Sequence, residues 1–443
     1  MKLLLLPILA LSLLAADWKA GAAKTDITPQ GPIWMAGYAA RTKPSEGVLL
    51  PLHVKALAVE DNRKGRAVIL TSDIIGFPKS VAEEIAVGAL KQYGLERSQL
   101  ILNSSHTHSG PVVWPNLRGM YPMNPEQRAK VEAFTRDLVA KSITTIGEAI
   151  GKLKPAQLHY TLGEAKFASF RRLPAPDGSI KLAPNPAGPT DHAVPTLEVR
   201  DGKGNLDAVL FSYSCHNTTM TGEFLNLHGD YAGFAQAEIE KRRPNTVALF
   251  ATACAGDQNP NPRSSLEHTQ NHGKALAAAV EKAIEAPKGK SIKGRVRTGF
   301  HLTNLSFQPF GKNDFEEELK SPNKYAVSRA QSMLKLIEER RIPSSLSYPV
   351  QVVKIGPMGI VALGGEVVVQ YCLRLRKELN DPNLMVLGYS NDVMCYIPDA
   401  KEIAEGGYEG KDSFIYYEQP APLAAKSEEE LVTAVKGLWR KVK

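Results

Sequence analysis

Apolar and polar positions fall along this chain in blocks whose lengths separate strands from helices. Residues 67–72 form a short apolar run ending at Asp73, and 100–103 form a second. Between them, 79–93 carry apolar residues at helical spacing. Strand, helix, strand in that order predicts a βαβ unit with parallel strands. Further strands are expected at 208–214, running into Cys215-His216-Asn217, and at 246–252, ending at Cys254-Ala255-Gly256-Asp257. Asn124-Pro125 opens a long helix to about residue 151, because asparagine caps and proline fits the first turn. Helical spacing recurs at 231–243, 269–286 and 325–341, and Ser427 with Glu430 predicts a capping box on the last helix. Residues 291–306 alternate as a strand, and 350–363 read as a hairpin around Gly356-Pro357-Met358-Gly359. Gly364-Gly365-Glu366 is then expected to open a helix over 367–379, with a strand at 385–389. Proline and glycine mark 23–38 as loop and 156–200 as mixed strand and loop. The sum is an α/β fold with mixed β-sheets and flanking helices, undivided by any strong linker or repeat.

Composition narrows the class. The 443 residues are 43% hydrophobic and 23% charged, which is a globular balance with ample chain for a deep core. The net charge of +8 is spread thinly, and no run of five basic residues occurs, which speaks against a nucleic-acid surface. It allows peripheral contact with an anionic membrane and leaves the oligomeric state open. Met1-Lys2, the apolar run 3–14 and Ala15-Ala16-Asp17 have the layout of a signal peptide over 1–20, cut near 15–20. A secreted or periplasmic chain is the expectation, with 21–443 as one catalytic domain. Cys215, Cys254, Cys372 and Cys395 show no CxxC spacing, so buried free thiols are expected rather than a thiolate metal site.

The histidines change the picture. His106-Thr107-His108 follows the strand at 100–103, and in parallel sheets sites form at the carboxyl ends of strands. An extended backbone would send both imidazoles to one side, as metal binding requires. The alternative is a polar loop with two hydrogen-bonded histidines. His216 sits past another strand end, and Glu366 follows two glycines that let the backbone turn tightly. His228, near Asp230, reads as structural or solvent-facing.

These stretches resemble the neutral/alkaline non-lysosomal ceramidase family, in its N-terminal catalytic domain. The similarity rests on Gly21-Ala22-Ala23-Lys24-Thr25-Asp26-Ile27-Thr28-Pro29, His106-Thr107-His108-Ser109-Gly110-Pro111 and Asp230-Tyr231-Ala232-Gly233. It continues through Gly256-Asp257-Gln258-Asn259-Pro260-Asn261, Gly365-Glu366, and Tyr396 ahead of Tyr408-Glu409-Gly410. The resemblance implies a zinc ion held by His106, His216, Glu366 and Tyr396, a donor set that suits zinc. It implies His108 beside the metal-bound water, and Tyr408 with an arginine, Arg171 or its neighbour Arg172, facing the substrate carbonyl. The implied reaction is hydrolysis of an N-acyl amide, ceramide to sphingoid base and fatty acid or a related lipid-like substrate. In the reaction so implied, zinc would supply the nucleophilic hydroxide, the developing oxyanion would be stabilised at the site, and His108 would carry the proton to the leaving amine. Asp257 is either an outer-shell group orienting a ligand or a turn residue.

Two departures bear on this expectation. The family block reads Gly-Asp-x-Ser-Pro-Asn, and Asn259 stands at the serine, so a serine nucleophile is absent there; Asn259 can still hydrogen-bond substrate. Family members also carry a C-terminal β-sandwich, whereas this sequence ends one helix after Tyr408. A zinc esterase or lactonase on the same site, or a zinc-containing surface protein without turnover, are the alternatives.

Overall fold

A computed structural model describes residues 17–286 and 289–442. The chain opens with β1 (Trp18–Asp26), β2 (His53–Asp61) and β3 (Arg66–Ser72). Helix α1 (Lys79–Tyr93) leads to β4 (Leu100–Ser104), and β3 pairs with β4 in parallel, as the βαβ reading requires. Helix α2 (Pro125–Gly151) is capped by Asn124, whose side chain accepts from the Gln127 amide. Then come β5 (Lys154–Glu164), β6 (Ala193–Arg200), β7 (Leu206–Tyr213), α3 (Asp230–Arg242), β8 (Val247–Thr252) and α4 (Leu266–Glu285). These strands form one mixed sheet in the order β8-β7-β6-β5-β1-β2-β3-β4, with Lys290–Ser291 added beside β5.

A second sheet follows from β9 (Val296–Ser306), α5 (Lys324–Glu338), β10 (Ser345–Ile355), β11 (Met358–Leu363), α6 (Gln370–Glu378), β12 (Met385–Leu387) and α7 (Ser427–Lys441). Its order is β9-β10-β11-β12, with the expected hairpin at β10-β11 and β12 parallel to β11. The two sheets share one core, in which Leu57, Ile69 and Leu249 of the first meet Val353, Ile360 and Leu387 of the second. On the outer face of the large sheet lie α1 and α2 in one cluster and α3 and α4 in another. Helices α6 and α7 cover the small sheet. The result is a four-layer helix–sheet–sheet–helix sandwich of mixed α/β class. The four cysteines are buried and free.

Three local expectations fail for physical reasons. The segment expected as loop from residue 23 begins inside β1, a central strand paired with β2 and β5. Its small residues are there for close packing, since a Cβ on Gly21 would lie 2.4 Å from the Ala149 carbonyl of α2. The helix expected from 367 starts later, at Gln370, and Glu366–Val367 is instead a short strand parallel to Tyr396–Ile397. The β-branched run Val367-Val368-Val369 favours extended backbone over a helical turn. The capping box on α7 is also absent. Ser427 is the helix's first residue, and Glu430 instead accepts from the Ser306 amide and hydroxyl at 2.8 Å each. The expected signal falls mostly on residues 1–16, outside the described residues.

Candidate active site

The ends of β4, β7, β8, β11 and β12 converge at one rim of the sandwich. Asn103 at the end of β4 ties them together. Its amide nitrogen donates to the Thr252 and Gly388 carbonyls at 3.2 and 2.8 Å, and its oxygen accepts from the Thr252 amide at 2.8 Å. Past this knot the backbone turns sharply. His106 takes φ +58° and Tyr389, after β12, takes φ +49°, both in the left-handed region that non-glycine residues avoid. His106 and His108 therefore converge through a tight turn rather than the extended spacing expected from sequence. Strain of this kind concentrates at functional sites.

Four of the expected groups meet around one point. His106 Nε2 lies 3.2 Å and His216 Nε2 3.0 Å from Glu366 Oε2, and the Tyr396 hydroxyl lies 3.4 Å from His216 Nε2. Ligands about 2.0–2.1 Å from a tetrahedral ion stand roughly 3.3–3.4 Å apart, so these spacings suit a shared zinc-sized cation. Protonation agrees. His106 Nδ1 faces the Ile75 carbonyl at 2.5 Å and His216 Nδ1 the Ala255 carbonyl at 2.7 Å. Carbonyls only accept, so both Nδ1 atoms carry hydrogens, and each ring in its neutral form presents a lone pair at Nε2. Burial, then Arg171, push the His216 pKa down to about 4, which keeps it neutral. Glu366 Oε2 is thus buried against two lone pairs with no donor. A cation resolves that arrangement, and carbonyl-anchored Nδ1 groups are the usual outer support of metal-bound imidazoles.

His108 joins the cluster, with Nε2 3.2 Å from His106 Nε2, and the three histidines form a group able to hold a metal. It differs from the other two, because its Nδ1 is buried without a partner. Burial and the neighbouring histidines press its pKa well below the ordinary value.

Arg171 spans the opposite side. Its Nε donates to Glu409 at 2.7 Å, Nη2 to the Tyr396 hydroxyl at 3.0 Å and Nη1 to Asn259 Oδ1 at 3.2 Å. Arg172 points away, into Glu402, Glu405 and Glu409. Tyr408 stands beside Tyr396 with ring centroids 5.4 Å apart, and the Arg171 guanidinium carbon lies 5.8 Å from the Tyr408 centroid. Asp257 touches no ligand. Its carboxylate accepts from the Val369 amide at 2.8 Å and its carbonyl from the Arg171 amide at 2.9 Å, joining the Glu366 segment to the arginine. Burial raises its carboxyl to about 7. His228 is fully buried rather than solvent-facing, with Nδ1 accepting from the Asp230 amide at 3.0 Å.

Sequence reading missed several contributors. Tyr417 donates to Glu366 Oε1, while Oε2 has no donor. The Tyr389 ring packs 4.4 Å from that of His106. Glu409 adjoins Tyr408 in the quoted Tyr-Glu-Gly and was the one findable residue; Tyr389 and Tyr417 carry no spacing signal.

The mixed-sheet sandwich is a fold shared with solved ceramidase structures. The crystal structure of neutral ceramidase from Pseudomonas aeruginosa superposes with a TM-score of 0.76 over 96% of this chain and 74% of that one, at 20% identity. The family model for the neutral/alkaline non-lysosomal ceramidase N-terminal region matches residues 18–290, and the chain belongs to that family. Among relatives, neutral ceramidase of Mycobacterium tuberculosis is 22% identical over 85% of this chain and 70% of its own length. Neutral ceramidase of Drosophila melanogaster is 24% identical over 59% of this chain and only 39% of its own length.

Proposed function

We propose that this protein is an exported, zinc-dependent hydrolase of N-acyl amides, with ceramide or a related lipid-like amide as substrate. The observation that carries the reading is the buried Glu366 oxygen facing two imidazole lone pairs at 3.0 and 3.2 Å. His106, His216, Glu366 and Tyr396 would hold the ion. Zinc there supplies Lewis acidity and lowers the pKa of bound water toward neutrality.

The chain's own residues do the rest. Tyr417 fixes the Glu366 carboxylate through Oε1. Arg171 stays charged because Tyr396 and Glu409 outweigh its burial, and it is the cation on the substrate side. With Tyr408 beside it, Arg171 favours charge developing on the acyl oxygen. His108, neutral and lacking the carbonyl anchor of the two ligand histidines, accepts a proton and passes it to the leaving amine. Asn259 has its oxygen engaged by Arg171 and by the Thr218 hydroxyl at 3.2 Å, so its amide hydrogens remain to bind substrate. Export follows from the apolar leader, with cleavage ahead of Trp18, whose indole is buried in β1 and donates to the Ile292 carbonyl.

Replacing His106 or Glu366 by alanine should lose zinc retention by more than the roughly 10–100-fold typical of outer-shell changes, and abolish amide hydrolysis with it. Elemental analysis paired with a ceramide turnover assay reads both. Full activity in a metal-free His106→Ala protein would refute the proposal.

A further inference from the structure

Among the described residues four lysine or arginine side chains are buried: Arg41, Lys55, Arg171 and Arg172. Three have carboxylate partners at 2.7 Å, Lys55 with Glu240 and both Arg171 and Arg172 with Glu409. Arg41, only 4% exposed, has none within ion-pair distance among the described residues. Its Nε donates to the Gly222 carbonyl at 3.2 Å and its Nη1 to the carbonyls of Ala36 and His108. Its Nη2 is buried with no acceptor. The exposed Glu223 acts on Arg41 only from beyond ion-pair distance, and a buried guanidinium with no contacting carboxylate is costly, retained where something else completes it. Burial lowers the Arg41 pKa to about 10, so it remains charged at neutral pH.

The surroundings point the same way. Tyr38 lies against Arg41, with the guanidinium carbon 5.0 Å from the ring centroid, and packs 4.8 Å from the His108 ring. Arg263 donates to the Tyr38 hydroxyl at 3.3 Å and, among the described residues, has no carboxylate within ion-pair distance and leaves Nε buried and unpaired. The Thr219 hydroxyl and His228 Nε2 are also buried and unpartnered. Two guanidinium groups with unused donors thus stand beside the proposed proton carrier, Arg41 touching the His108 carbonyl and Arg263 reached through Tyr38.

We propose that Arg41, supported by Arg263, receives a carboxylate carried on the amine half of the substrate, so that the preferred amides are N-acyl amino acids rather than neutral N-acyl amino alcohols. This rests on the amidase reading and narrows its substrate class. A carboxylate meets the free Nη2 and neutralises the buried charge, which an uncharged hydroxyl cannot do.

The test compares zinc-loaded full-length protein on N-dodecanoylglycine and N-dodecanoylethanolamine, which share one acyl chain. Wild type should favour the glycine conjugate by about tenfold or more in kcat/KM, chiefly through KM. Arg41→Gln should bring that ratio to about one, and Arg41→Lys should retain part of it. A wild-type ratio of one or less overturns the assignment. So does a ratio unchanged in Arg41→Gln while both rates fall together, which would leave Arg41 as a prop for the His108 loop or the host of a bound water only. Should Arg41→Gln fail to fold, the wild-type ratio still decides. Calorimetric binding of dodecanoate as strong as that of N-dodecanoylglycine would place the fatty-acid product there and overturn the amine-side assignment. If neither amide is hydrolysed the amidase reading fails, while calorimetry with the glycine conjugate still tests Arg41.

Discussion

Asp392 lies buried beside the first turn of α1, and its carboxyl shows how one side chain sets a pH response. Burial raises its pKa from the ordinary 3.8 to about 7; Lys79 offsets this only in part and Glu83 adds to it. A carboxyl whose folded pKa exceeds the unfolded one binds its proton more tightly in the folded state. Its destabilising effect is therefore absent below about pH 4, grows as pH rises from 4 to 7, and is constant above 7. Three pH units set an upper limit of about 4 kcal/mol. Asp392→Asn should raise the melting temperature by several degrees at pH 8 and leave it unchanged at pH 4, as read by calorimetry across that range. At this scale the sequence was informative where chemistry restricts residue type. His106, His216, Glu366 and Tyr396 were nameable in advance as a set only through the family resemblance, with the strand-end positions of the two histidines in support. Tyr417 and Arg41 were not, because their roles arise from tertiary approach: Tyr417 reaches Glu366 from 51 residues away, and Arg41 is notable only for a carboxylate that never approaches it.

The placement of the Glu366 carboxylate depends on how closely elements approach. Gly256, just past β8, donates its amide to the Val367 carbonyl at 2.8 Å, and a Cβ there would lie 2.6 Å from the Glu366 carbonyl oxygen. That contact is backbone to backbone, so neither side yields by a rotamer change. Gly256→Ala should destabilise by about 1–3 kcal/mol and push the Glu366 strand off the shared point. Zinc affinity, measured by competition with a chelator, should fall together with stability; unchanged affinity would show that this glycine does not set the ligand position. The same close approaches explain what the pattern of apolar residues revealed. The β3-α1-β4 unit was legible because its strands are apolar runs and its helix is amphipathic. β1 was not, since its alanines and Gly21 serve α2 packing and read as loop. Nor was the Glu366–Val367 strand, which exists only through its pairing with Tyr396–Ile397.

At the level of the whole molecule, the family match ends at residue 290, yet Glu366 and Tyr396 come from beyond it. The shared core predicts that the two parts fold as one unit. Leu57, Ile69, Ile101 and Leu249 of the first sheet are covered by Val353, Ile355, Ile360 and Met385 of the second, all at most 1% exposed except Met358 beside them at 5%. Removing the second sheet would return that face to water, at roughly 25 cal/mol for each Å² of apolar surface exposed, against a usual stability of only about 5–15 kcal/mol for a folded protein. Asn103 would also lose its Gly388 partner, and the β4 end that positions His106 would lose its tether. A chain comprising residues 17–290 is therefore expected not to fold, and to bind neither zinc nor amide, although it contains both histidine ligands. The full chain is expected to unfold in a single transition, with loss of near-ultraviolet circular dichroism and zinc release at the same denaturant concentration. Two separated transitions, or a 17–290 fragment that melts cooperatively, would show instead that the metal ligands are shared between independently stable bodies.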